Sequence, residues 1–152
     1  MKINIYLKLI LVFVILAFLV NAVFGANITP LPASLLQEMN QVEASGRISN
    51  VPKGDNGLAR GPMQIHFKYW QDAIQYDKTI GGTYADCDGY AYSVKVVTAY
   101  LNRYGKAHIT SGNYEALARI HNGGPSGYKN QSTVAYWRKY KFASVSGTRG
   151  KG

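Results

Sequence analysis

Apolar side chains recur at three-four spacing in five separate stretches of the chain, and a chain patterned that way folds as packed amphipathic helices. Leu35, Met39 and Val42 share one helical face, which Gly46 ends. Met63, Phe67, Trp70 or Gln71, and Ile74 predict a second helix over 62–76, with Pro62 suited to its first turn. Val94, Val97, Leu101 and Tyr104 predict a long central helix closed by Gly105. Tyr114, Leu117, Ala118 and Ile120 predict a fourth, broken by the HNGGPSG segment at 121–127, and Val134, Trp137 and Tyr140 a last one. The segment SNVPKGDNGLARG at 49–61 is too polar for core, and its Gly, Asn, Asp and Pro residues predict turns and a small hairpin around Asp55-Asn56-Gly57. The expected class is therefore α+β, mainly α, with no internal repeat and no linker between domains.

The N-terminus constrains location. MKINIYLK, then LILVFVILAFLV, then NAVFGA give a basic start, an apolar run of about a dozen residues and a small-residue exit, the pattern of a signal peptide over 1–25. Val23 and Gly25 place the cut after Gly25 and predict a secreted, extracellular protein. A retained membrane anchor is the alternative reading, and a span normally needs ~20 apolar residues. Beyond the leader the expected organisation is an irregular N-terminal segment at 26–37, a catalytic domain at 38–142 and a flexible basic tail at 143–152.

Removing 1–25 takes away Lys2 and Lys8 and no acid, leaving 15 basic against 8 acidic side chains, a formal charge of +7. A basic exported protein is drawn to polyanions such as cell-wall polymers, and the location argues against intracellular nucleic acid as a partner. Cys87 is the only cysteine, so no intrachain disulfide can form and stability must come from packing. His66, His108 and His121 lack metal-ligand spacing, and Asp86 and Asp88 lack a calcium-loop pattern, so neither metal nor other cofactor is implied.

Two acids stand out. Glu43 follows Val42 on the rim of an apolar helix face, where partial burial raises a carboxyl pKa, whereas Asp55 lies in a polar, Gly-rich turn that favours ionisation. Cleaving a bond between sugars needs a proton for the leaving oxygen and support for an oxocarbenium-like centre, which two such carboxyl groups can supply. Taken alone, the two residues read as no more than a helix-end charge and a turn-forming Asp.

The surrounding motifs carry more information. QVEASGR from Gln41, GDNGLARGPMQI from Gly54, YWQDA from Tyr69, AYLNRYG from Ala99, ARIHNGGPSG from Ala118 and YWRK from Tyr136 resemble the invertebrate-type, destabilase-like lysozymes in order and separation, over roughly 38–141. The resemblance implies a lysozyme-like fold with a substrate cleft, Glu43 as the acid and Asp55 as nucleophile or ion stabiliser. It also implies bacterial peptidoglycan as substrate, with no obligate protein partner, and a membrane partner only if the leader is retained. By the same resemblance Gln64, Tyr69, His121, Asn122 and Gly123 line the saccharide cleft, although turn geometry alone explains the glycines. Trp70 and Trp137, which could stack on sugars, are expected in the core. The family is usually rich in disulfides, whereas Arg60, Ala73 and Tyr128 stand at positions of its cysteines, so this chain resembles a cysteine-poor branch.

Two other readings stay open. E-x-S-G at 43–46 followed by GPMQI also resembles the lytic transglycosylases, which need Glu43 alone. A cationic wall-binding or membrane-active antimicrobial protein would need neither acid.

Overall fold

The computed structural model describes residues 26–149; the leader expected at 1–25 and residues 150–152 lie outside the described residues. The element order is α1 (Ala33–Ala44), β1 (Ala59–Arg60), β2 (Ile65–His66), α2 (Phe67–Tyr76), α3 (Tyr90–Thr110), α4 (Tyr114–Gly123) and α5 (Val134–Arg149), joined by turns and short 3-10 segments. The fold is α+β, mainly α, and its sheet is a single antiparallel pair in which Ala59 faces His66 and Arg60 faces Ile65. No described helix is long and apolar enough to cross a membrane.

Helix α3 is the axis of the core. Val96, Val97 and Leu101 are fully buried on it, and it packs between α2 and α4, while α5 closes over α1 and α4. Val97 and Leu101 of the predicted stripe lie at its centre, and Val94 and Tyr104 flank it. Leu35 and Met39 of α1, Met63, Ile65, and Leu117 and Ile120 of α4 complete the same cluster, and both tryptophans pack against its edge as expected.

Four boundaries differ from the sequence reading. Helix α1 starts at Ala33, inside the stretch expected to be irregular, because burial of Leu35 and Leu36 outweighs the absence of a side-chain cap. The segment before it is tied down by a reciprocal pair, Thr29 N–H to Asn102 Oδ1 at 2.8 Å and Asn102 Nδ2 to Thr29 O at 2.9 Å. Helix α2 starts at Phe67, not Pro62, because 61–64 form the turn of the hairpin. There Gly61 adopts φ +68°, and a Cβ at this position would stand 1.7 Å from the Cys87 carbonyl oxygen, so only glycine fits. The hairpin expected around 55–57 is present as a 3-10 turn bridged by Gly54 and Ala59, and β2 extends it into a second arm.

Helix α3 runs through Gly105 to Thr110 with a local kink, since Gly105 faces α4 rather than solvent. A Cβ there would meet Leu117 Cδ2 at 2.8 Å, so the glycine lets two helices approach and does not end one. Helix α5 continues through the expected flexible tail to Arg149. Tyr136 and Tyr140 anchor its first turns against α1 and α4, and helix once nucleated propagates cheaply.

Candidate active site

Glu43 lies in the last turn of α1, where Ser45 in the left-handed conformation and Gly46 stop the helix. Asn40, one turn earlier and buried, fixes this end in space. Its Nδ2 donates to Arg47 O at 2.9 Å and to Pro62 O at 3.0 Å, so one side chain joins the end of α1 to the turn of the hairpin. The hairpin in turn carries Asp55 on the 3-10 segment at its base, with φ +49°, a left-handed conformation that Asp and Asn tolerate better than most residues. Glu43 and Asp55 thereby come to face one cleft of about 440 Å³, lined also by Ala59, Gln64, His66, Tyr69, His121 and Asn122.

The two carboxylates have different surroundings. The Glu43 side chain is 17% exposed and its Oε1 lies 3.3 Å from His121 Nε2, whereas the Asp55 side chain is 59% exposed and its Oδ2 lies 3.3 Å from His66 Nε2. His121 is buried near the end of α4, and its other ring nitrogen, Nδ1, lies 3.0 Å from the Tyr69 hydroxyl. Burial pushes the Tyr69 phenol well above its ordinary value, and the neighbouring Tyr100 and Glu43 add to the shift. Tyr69 therefore keeps its proton, and its hydroxyl can donate to Nδ1 or accept from it according to the His121 tautomer. With a neutral imidazole that accepts from Tyr69, the ring proton is on Nε2 and faces Glu43 Oε1, which leaves Oε2 as the oxygen open to the cleft. Tyr69 is itself locked by stacking on Tyr100, with ring centroids 3.5 Å apart and an interplanar angle of 14°.

Tyr136 of α5 adds a second contact to this glutamate. Its hydroxyl is buried without a partner of good hydrogen-bond geometry, and burial, reinforced by the adjacent Glu43 carboxylate, holds the phenol firmly protonated. Glu43 is thus approached from α4 by an imidazole and from α5 by a phenol that stays protonated.

Of the residues expected at the site, Glu43, Asp55, Gln64, Tyr69, His121 and Asn122 all line the cleft. Gln64 has both amide protons committed, Nε2 donating to Pro52 O at 3.2 Å and Gly61 O at 2.9 Å, which leaves its Oε1 free to accept. Gly123 is not among the lining residues; it packs beneath Thr133, where a Cβ would stand 2.4 Å from the threonine methyl. Trp70 faces elsewhere and donates through Nε1 to the Tyr92 hydroxyl at 3.0 Å. His66, Asn40 and Tyr136 were missed by sequence reasoning. His66 in particular falls in a stretch whose spacing reads as helix, and only the strand register opposite Ala59 turns it toward Asp55.

Cys87 is fully buried, and burial pushes its thiol up to about 12, which rules it out as a nucleophile near neutral pH. A larger groove of about 800 Å³, on the side formed by residues 26–28 and 77–98, contains one carboxylate, Asp77. Its Oδ1 already accepts from the Thr79 N–H and hydroxyl.

Paired acids in one cleft of a mainly helical fold accord with the motifs, and residues 37–143 match the family profile described as destabilase. The chain belongs to the destabilase family. Among its relatives, lysozyme 1 of Crassostrea virginica is 40% identical over 85 residues, covering 55% of this chain and 44% of that protein. The Ostrea edulis lysozyme is 38% identical over 91 residues, covering 59% of this chain and 63% of that one. The destabilase-type chain thus spans between under half and under two thirds of these relatives' lengths. The crystal structure of Tapes japonica lysozyme superposes with a TM-score of 0.61 at 30% identity, covering 72% of this chain and 87% of that chain. An inhibitor-bound lysozyme from Meretrix lusoria superposes with a TM-score of 0.58 at 28% identity, covering 76% and 90%. The fold is that of the solved lysozymes it superposes on.

Proposed function

We propose that this destabilase-family chain is an exported muramidase that hydrolyses the β-1,4 bond between N-acetylmuramic acid and N-acetylglucosamine in bacterial peptidoglycan, for antibacterial defence or digestion. The observation that carries the reading is one cleft with a mostly shielded Glu43 opposite a solvated Asp55. General-acid and ion-stabilising carboxylates require that division of environments. Glu43 protonates the glycosidic oxygen as the bond to the leaving sugar breaks. Asp55 supports the positive charge that develops at C1, by covalent attack or electrostatically, and water completes the hydrolysis. The Tyr69–His121 pair holds Oε1 of Glu43 so that the proton is presented from the other oxygen. Asn122 and Gln64 Oε1 are placed to meet sugar hydroxyl and N-acetyl groups. The leader pattern at 1–25 and the excess of Lys and Arg support export and attraction to anionic walls.

The test is mass spectrometry of fragments released from purified peptidoglycan by the protein lacking 1–25. Reducing ends on N-acetylmuramic acid, lost in both Glu43→Gln and Asp55→Asn, are the expected result, with losses of roughly 10²–10⁴-fold for the acid. Anhydro ends with an active Asp55→Asn would move the assignment to lytic transglycosylase. No release at all, with bacterial killing retained in Glu43→Gln, would leave a cationic wall- or membrane-binding protein.

A further inference from the structure

Asp55 is a poorly anchored carboxylate. It sits on a three-residue 3-10 turn, its side chain is more than half exposed, and Asp55 and Asn56 both adopt left-handed backbone angles. Among the described residues, its carboxylate meets His66 Nε2 at 3.3 Å. A short carboxylate in water samples several rotamers, and a reaction that needs one oxygen aligned with a sugar C1 is slowed by every unproductive one.

We infer that His66 is a positioning residue for Asp55, holding its carboxylate in the orientation that faces the scissile bond. The inference rests on the muramidase reading of Asp55 given above. The hairpin supplies the geometry. Ala59 and His66 form a cross-strand pair on the cleft face, and Arg60 and Ile65 point to the opposite face by strand alternation. The bridge between Gly54 and Ala59 closes the loop that carries Asp55 back onto the same frame. Backbone pairing therefore places the two residues close enough for His66 Nε2 to reach the Asp55 carboxylate.

The site then has a symmetry of construction. Each acid is met by the Nε2 of one imidazole, Glu43 from α4 and Asp55 from the hairpin, so two helical ends and a two-stranded ribbon converge on the reacting atoms. His121 is 3% exposed in its side chain and His66 is 48% exposed, so the first is fixed by packing and the second by its strand alone. A saccharide in the cleft displaces water from the His66–Asp55 pair, which strengthens the contact during the reaction.

The test uses three variants of the full chain after the leader. Glutamine reaches about as far as Nε2 of histidine, whereas asparagine reaches only as far as Nδ1. His66→Ala and His66→Asn are expected to lower kcat by at least about threefold, the size a weak exposed pair can impose on rotamer populations. KM and thermal stability should stay near wild type, and His66→Gln should recover most of kcat. A kcat loss below about threefold in His66→Ala overturns the inference. So does an equal recovery in His66→Asn and His66→Gln, which would mean that the ring's bulk matters and not the donor at Nε2. Asp55→Asn measured alongside separates the two levels: if it is inactive and His66→Ala is unaffected, only the role of His66 fails. If Asp55→Asn keeps wild-type kcat, the role of Asp55 fails and that of His66 with it.

Discussion

One imidazole bridges the Tyr69 hydroxyl and the Glu43 carboxyl. A Tyr69 hydroxyl that donates to His121 Nδ1 favours the tautomer with its proton on Nε2, facing Glu43. Tyr69→Phe keeps the ring stacked on Tyr100 but removes that selection, leaving Nδ1 free to carry the proton and Nε2 to face a carboxylate as an acceptor. Activity on peptidoglycan should fall by about tenfold, well short of the loss in Glu43→Gln, because one tautomer still supports the acid. The rate of fragment release checks this, with unchanged thermal unfolding as the control. Glu43 and Asp55, which both line the same cleft, were singled out in the sequence by the motifs around them rather than by their own flanking residues. His66 was not, since nothing local marks an exposed histidine as a carboxylate partner when its strand is two residues long. Gly123 lies outside the cleft lining for the converse reason. Its neighbours His121 and Asn122 reach the cleft, but the end of α4 turns the glycine under Thr133.

Elements are joined by contacts that a sequence pattern does not reveal. The periodicity of α3 was legible as far as Tyr104, but Gly105 read as an end because Gly ends many helices; here it is the crossing point with α4 and the helix runs on to Thr110. Gly105→Ala should therefore cost about 1–3 kcal/mol, because the added methyl overpacks against Leu117 by more than the helix-propensity gain offsets. Urea denaturation checks the sign, and a stabilised variant would mean that the helices separate easily. Arg60 supplies another joint. At a position where disulfide-rich relatives are expected to carry cysteine, it pairs with Asp88 through Nε to Oδ1 at 3.1 Å and Nη2 to Oδ2 at 2.5 Å, tying the hairpin to the segment Tyr84–Asp88. The guanidinium holds the Asp88 carboxyl below the usual carboxylate range. A group depressed in the folded state contributes stability above its unfolded value of about 4 and loses it as pH falls through the folded value. The difference in unfolding temperature between wild type and Arg60→Ala, measurable at pH 6, should accordingly close toward pH 2.

At the scale of the whole molecule, charge and cleft act on different steps. The chain carries 17 Lys plus Arg against 8 Asp plus Glu, while its cleft holds two carboxylates; under the proposed muramidase function the positive surface attracts the polymer and the acids act on it once docked. This excess was readable from composition; how little of it enters the cleft was not, because the lining residues come from α1, the hairpin, α2 and α4. Exposed charges attract a polyanion over about a Debye length, which shrinks from ~30 Å at 0.01 M salt to ~10 Å at 0.1 M. Chemistry between residues in contact is screened far less. Raising salt from 10 to 150 mM should therefore weaken binding to whole anionic cell walls several-fold while changing kcat on a short, uncharged chito-oligosaccharide or desubstituted glycan by less than about twofold. Co-sedimentation with walls and turnover of the short glycan, measured over one salt series, separate the two effects. Parallel loss of both would mean that a cationic side chain works inside the cleft. Loss of neither would mean that the wall is gripped by the cleft alone.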